Sequence, residues 1–246
     1  MIAVIGGSGL SRLASLEVTQ RKAVRTPYGE PSGALTFGRI GGRELVFLAR
    51  HGYGNTVAPH EVNYRANLWA LQEQGVESVV SVASVGGIRA DLVPGALAIP
   101  DQVIDYTWGR RSTYHEGAGT PVTHVDFTEP YDRALRARLL AAARACGEAV
   151  IDGGCYAATQ GPRLESAAEI RRLERDGADM VGMTGMPEAA LARELHLAYA
   201  TIAVSANYAA GRGDSARSIP LERIEQVLAE AMGRVRRVIE ALIAGA

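Results

Sequence analysis

Val76-Glu77-Ser78-Val79-Val80-Ser81-Val82-Ala83-Ser84-Val85-Gly86-Gly87-Ile88 contains the most apolar run of the chain, and its reading decides the fold. β-Branched residues dominate it and a glycine pair interrupts its end, so Val76 to Val85 reads as a central strand. The run is far shorter than the roughly 20 residues a membrane-crossing helix needs, so no membrane span is expected. On its N-terminal side, His60 to Gln74 carries apolar positions at Val62, Ala66, Trp69 and Ala70 and is followed by Gly75, which predicts a helix. Further out, Leu35 to Ile40 and Glu44 to Ala49 flank Gly41-Gly42. A two-glycine loop supplies the positive φ angles of a tight hairpin, so this pair is antiparallel. Ile2 to Ile5 opens the sheet.

On the C-terminal side, Ser166 to Asp176 is a helix with a capping-box pattern, Ser166 preceding Glu169 by three positions, and it stops at Gly177. Pro187 opens another helix and Tyr199 to Val204 is a second buried strand. Leu221, Ile224, Leu228, Val235, Val238 and Leu242 form the apolar stripe of a C-terminal helix. Short β-branched runs alternating with helical stretches define an α/β protein whose central mixed sheet is flanked by helices. No repeat, low-complexity tract or linker interrupts the chain, so one domain is expected over residues 1–246. The loosest regions, Gly109 to Thr123 and Gly211 to Ser218, are candidate site loops.

A formal net charge of −1 produces no broad field of either sign. Neither nucleic acid nor an anionic membrane is an expected partner, and any anion must be held by a local site. Two cysteines, Cys146 and Cys155, are too few for a disulfide framework or a four-cysteine zinc site. Together with an N-terminal segment that reads as a strand and not as a leader, they point to the cytoplasm.

Several turns carry groups suited to chemistry. Gly6-Gly7-Ser8-Gly9 follows the first strand, where backbone N–H groups and a hydroxyl can cradle an anion; a plain structural turn explains it equally well. A dinucleotide fingerprint fits poorly, because the third glycine position is Arg12. Arg50-His51 ends a strand and is followed by Gly52 and Gly54, so a guanidinium and an imidazole can meet a phosphate there, although such pairs are more often solvated edges. Ser84 lies where the central strand ends. Thr184-Gly185-Met186-Pro187-Glu188 joins a strand to a helix and offers a hydroxyl and amides, beside Met183 as an apolar wall. Asn207, in Ser205-Ala206-Asn207-Tyr208-Ala209 after the second buried strand, both donates and accepts, as a purine edge requires, or simply forms a turn.

In order along the chain, Gly6-Gly7-Ser8-Gly9-Leu10, Leu48-Ala49-Arg50-His51-Gly52, Val62-Asn63-Tyr64-Arg65-Ala66-Asn67, Gly161-Pro162-Arg163 and Met183-Thr184-Gly185-Met186-Pro187-Glu188 resemble the purine nucleoside phosphorylase and methylthioadenosine phosphorylase family. The resemblance spans nearly the whole chain. It implies a phosphate site of Ser8, Arg50, His51, Ser84 and Thr184, with Ala83 where some members carry a further hydroxyl. It places Met183 at the sugar, Leu164 on the purine face and Asn207, Tyr208 and Ala209 along the base edge. His124 is expected near the sugar 5′ end of a neighbouring subunit, and Leu221 and Ile224 around an alkylthio group. Asn55 stands where some members have a second histidine.

The resemblance also implies a homotrimer, with a hexamer as the alternative, and phosphorolysis without metal or organic cofactor, inorganic phosphate being a co-substrate. Asn207 and His51 are the expected catalytic residues. The adenosine-type members carry aspartates where Asn207 and Ala209 stand. The expected substrate is therefore a 6-oxopurine nucleoside with a 5′-methylthio group, inosine or guanosine being the alternative and methylthioadenosine a weaker one. A nucleoside hydrolase and a non-catalytic nucleotide- or NAD-binding domain are the rivals from other classes.

Overall fold

A computed structural model describes residues 1–11 and 13–245. Its eleven strands belong to one mixed sheet. The strands are β1 (Ile2–Gly6), β2 (Glu17–Lys22), β3 (Leu35–Ile40), β4 (Arg43–Ala49), β5 (Ser78–Gly87), β6 (Leu97–Ile99), β7 (Gln102–Asp105), β8 (Ile151–Asp152), β9 (Cys155–Ala158), β10 (Met180–Gly182) and β11 (Ala198–Tyr208). The helices are α1 (Tyr64–Glu73), α2 (Arg133–Ala145), α3 (Ala167–Arg175), α4 (Gly185–Glu194) and α5 (Leu221–Ala244). No helix is long and apolar enough to cross a membrane among the described residues.

β5 is the spine. It runs parallel to β1 on one side and to β11 on the other. Both faces of this centre are covered, which is why its strands lack a polar face. Alternate side chains such as Val4, Val80, Val82, Ile202 and Val204 pack with Leu135 and Leu139 of α2 and Val235 and Val238 of α5. The intervening set, including Ala3, Ile5, Val79 and Ala203, packs with Leu68 and Leu71 of α1 and Leu191 of α4. Each such Val or Leu, fully buried, contributes roughly 1.5 to 3 kcal/mol of transfer free energy.

The hairpin at Gly41-Gly42 forms as expected, with φ of 55° and 79° and antiparallel β3 and β4. The capping box of α3 is complete. Three boundaries move, the first being the central strand, which runs from Ser78 to Gly87 and not from Val76 to Val85. α1 begins at Tyr64 and not at His60, because Asn63 accepts the N–H of Ala66 and caps the helix there. β11 continues past Val204 to Tyr208, with a register shift between Ser205 and Asn207, so the Asn207 motif lies within the strand and not after it.

The pairing of β5 changes along its length. β1 accompanies it only as far as Ser81, whereas antiparallel β10 joins it at Gly86 and Gly87. Val82 to Val85 have no strand partner on that side among the described residues. A split between neighbouring strands opens a crevice at their ends, the usual place for a ligand in an α/β sheet.

Candidate active site

A cavity of about 430 Å³ occupies that split, within the usual range for a small-molecule site. Ser8, Arg50, His51, Ser84 and Thr184 line it, as do Met183, Leu164, Asn207, Ala209 and Ile224. These come from seven separate segments that the sheet topology gathers at one end of β5.

The first turn reaches the cavity because of glycine. A Cβ on Gly7 would lie 2.5 Å from the Val82 carbonyl oxygen and 2.9 Å from Arg50 Nη1. Only a residue without a side chain lets this turn press against both β5 and the arginine. Ser8 then lies half-buried at the cavity wall.

Arg50 is fully buried and is not a free anion-binding fork. Its Nε donates to Glu188 Oε2 at 2.7 Å, while Nη2 donates to Glu188 Oε1 at 2.9 Å and to Ser81 Oγ at 2.6 Å. Nη1 donates to the Val82 carbonyl at 3.0 Å. Four of the five guanidinium N–H groups are thereby engaged, and one on Nη1 remains beside the cavity. Glu188 also accepts from the Tyr199 hydroxyl at 2.8 Å. Burial by itself would lower the Arg50 pKa, but the Glu188 carboxylate more than offsets this and the net shift is upward. The pair supplies a fixed donor and little net charge.

His51 is shifted the other way. Burial, reinforced by the Arg50 cation, lowers its pKa below the ordinary 6.5, so it is mainly neutral at pH 7. Its Nδ1 lies 2.8 Å from the Val57 carbonyl. A carbonyl only accepts, so Nδ1 carries the proton and Nε2 is left as an acceptor. That suits the P–OH of a hydrogen phosphate ion. Thr184 is held separately, its backbone N–H donating to the Tyr156 hydroxyl at 3.3 Å.

At the other end, Asn207 Nδ2 donates to the Tyr208 carbonyl at 2.7 Å, leaving one amide N–H and the amide oxygen for another partner. Glu165 lines the same cavity and accepts from Thr159 Oγ1 at 2.6 Å. It escaped the reading of the sequence, where it is simply the residue before a helix cap; its place beside Gly161-Pro162 was the available signal. Ile219 and Leu228, also unforeseen, line the cavity, as do the apolar side chains of Ile224 and Val57.

Three expected residues lie off the cavity of their own chain. Tyr208 follows Asn207 in a strand, so its side chain turns to the other face and enters an adjoining recess with Ser215 and Pro220. Leu221 is 63% exposed. It is the first residue of α5, and helical side chains lean toward the N-terminus, which carries it past the rim. His124 is exposed on the loop before α2, consistent only with a role outside its own chain's cavity.

Comparison with known proteins matches the geometry. The model of the Phosphorylase superfamily matches residues 1–244, and the chain belongs to that family. It is 53% identical over 232 residues to a protein of Xanthomonas campestris named probable S-methyl-5′-thioinosine phosphorylase, covering 94% of this chain and 93% of that one. It is 47% identical over 215 residues to the 6-oxopurine nucleoside phosphorylase of Pyrococcus furiosus, covering 85% and 80% of the two chains. Among solved structures, methylthioadenosine phosphorylase from Schistosoma mansoni in complex with adenine superposes with a TM-score of 0.94 at 30% identity, over 99% of this chain and 90% of that one.

Proposed function

We propose that the protein catalyses phosphorolysis of S-methyl-5′-thioinosine to hypoxanthine and S-methyl-5-thioribose 1-phosphate. One observation carries this reading: a single cavity joins an anion-binding end, built from Ser8, the free Arg50 N–H, His51 and Thr184, to an end with a purine-edge donor and acceptor in Asn207 and Glu165. A phosphate oxygen attacks the anomeric carbon as the bond to N9 breaks, and the electron pair leaves with the purine. The ribosyl group passes through an oxocarbenium-like state that the adjacent phosphate stabilises, so holding phosphate beneath the sugar supplies both orientation and charge. Met183 borders the sugar.

The leaving base gains negative charge, and the free Asn207 N–H strengthens its bond to O6 or N7 as that charge grows. Glu165 accepts from N1–H of hypoxanthine, a donor that adenine lacks. Ala209 offers nothing to an adenine amino group. Ile219, Ile224 and Leu228 give the sugar 5′ end an apolar wall that favours methylthio over hydroxyl. A single such contact supports roughly 10- to 200-fold discrimination, so inosine is expected to be a slow substrate. No metal or organic cofactor takes part in the proposed reaction. We place the enzyme in the cytoplasm as a homotrimer, with His124 reaching a neighbouring subunit's sugar site.

The test is base release from methylthioinosine, methylthioadenosine, inosine and guanosine, each with and without phosphate. Release that requires phosphate, with the highest kcat/KM for methylthioinosine, is expected. Equal release in phosphate-free buffer would sink the phosphorylase reading, and a clear preference for inosine, guanosine or methylthioadenosine would sink the choice of substrate.

A further inference from the structure

We infer that Arg110, a residue of the loop after β7, is the positioning residue that sets the spacing of the cavity walls; this rests on reading the cavity as a nucleoside site. Arg110 is half-buried and does not itself line the cavity. Its Nη1 lies 2.8 Å from the Met183 carbonyl oxygen, 2.7 Å from that of Met186 and 3.2 Å from Tyr64 Oη. Nη2 donates to the carbonyls of Gln160 at 2.8 Å and Thr159 at 3.3 Å, and Nε to Gln160 Oε1 at 3.2 Å. The guanidinium also sits over the Tyr64 ring, 5.5 Å from its centroid.

These bonds join three walls. Met183 belongs to the sugar wall. Thr159 and Gln160 lead directly into the turn that carries Leu164 and Glu165. The Tyr64 hydroxyl in turn donates a hydrogen bond to the Pro59 carbonyl at 2.8 Å, which fixes the segment containing Val57. The carbonyls at 160 and 183 lie between elements and that of Met186 at a non-helical residue in the first turn of α4, so all three need donors from elsewhere. One planar fork with five N–H groups can serve them together, whereas a lysine has three donors and no fixed plane. Arg110 thus holds the base wall against the sugar wall. Of the phosphate ligands, Arg50 is anchored independently by Glu188, whereas Thr184 has its own bond to Tyr156 but lies between the held carbonyls of Met183 and Met186.

Loss of Arg110 is therefore expected to weaken nucleoside binding more than phosphate binding. A wall displacement of about 1 Å can cost on the order of 100-fold. Arg110→Met and Arg110→Lys are compared with wild type, using the nucleoside that wild type cleaves best. Arg110→Met should raise the nucleoside KM at least about 10-fold, with a clearly smaller rise in the phosphate KM, and Arg110→Lys should fall between. Hydrogen exchange of the free enzyme should quicken over residues 159–165 and 182–186 in Arg110→Met. An unchanged nucleoside KM in folded variant, or equal rises in both KM values, overturns the inference. Should Arg110→Met fail to fold, the same split measured on Arg110→Lys decides. Should wild type cleave no purine nucleoside, the proposed function fails, while the exchange comparison still decides the role of Arg110 in holding the walls.

Discussion

At Arg50 the guanidinium is divided between structure and chemistry. Its bidentate grip on Glu188 spans 138 positions of sequence and ties the end of β4 to α4, and one N–H is left without a protein acceptor beside the cavity that Arg50 lines. Removing one partner of a buried ion pair strands the other, at a cost of about 3 to 5 kcal/mol, whereas replacing both with apolar side chains is often nearly neutral. Arg50→Met should therefore lose about that much stability in urea denaturation. Arg50→Met with Glu188→Leu should recover most of it, though not all, because the Tyr199 hydroxyl loses its acceptor. Both variants should raise the phosphate KM about 10- to 100-fold, the worth of one charge-assisted hydrogen bond. A double variant as unstable as the single one would contradict this account of the pair.

At the scale of elements, β5 and β11 together build the part of the cavity proposed to take the base. The register shift between Ser205 and Asn207 sets Asn207 opposite Gly86 and Tyr208 opposite Gly87, and Asn207 and Ala209, two apart, share the cavity face. Replacing both with aspartate would put acceptors on that face, where an adenine amino group could donate to them. Ala209 is 1% exposed, so a carboxylate there is costly unless a substrate donor meets it. Sites that hydrogen-bond a substrate group can reject its mismatched analogue by about 10⁴ to 10⁵. The double change Asn207→Asp with Ala209→Asp should raise the kcat/KM ratio of methylthioadenosine to methylthioinosine by at least about 10-fold, with a lowered Tm. An unaltered ratio in a folded double variant would remove Asn207 and Ala209 from base selection.

For the whole molecule, the proposed trimer would give two exposed apolar side chains a use. Trp108 and Val122, 72% and 79% exposed, lie on the same long loop as His124. Burying this loop against a neighbouring subunit would cover them and bring the histidine toward that subunit's cavity. Sedimentation at micromolar concentration should give about 78 kDa, three times 26.1 kDa. A monomer under those conditions would count against the trimer and against His124 as a sugar-site residue.

Sequence alone determined the features whose cause is local. The Gly41-Gly42 hairpin, the Ser166 capping box, the buried strands and the stripe of α5 each follow from neighbours within a few positions, where φ, capping and side-chain period act. Of the thirteen site residues expected from the sequence, ten meet in the cavity. Tertiary structure decided the rest. Strands as short as β6 and β8 carry too few residues to show a period and exist because adjoining strands supply their hydrogen bonds. The split of β5 between β1 and β10, the pairing of Arg50 with Glu188, the arrival of Glu165 and Ile219 at the cavity and the reach of Arg110 to three walls all join distant segments. Each is fixed by which buried polar groups find partners once the sheet has assembled, and no periodicity along the chain encodes that.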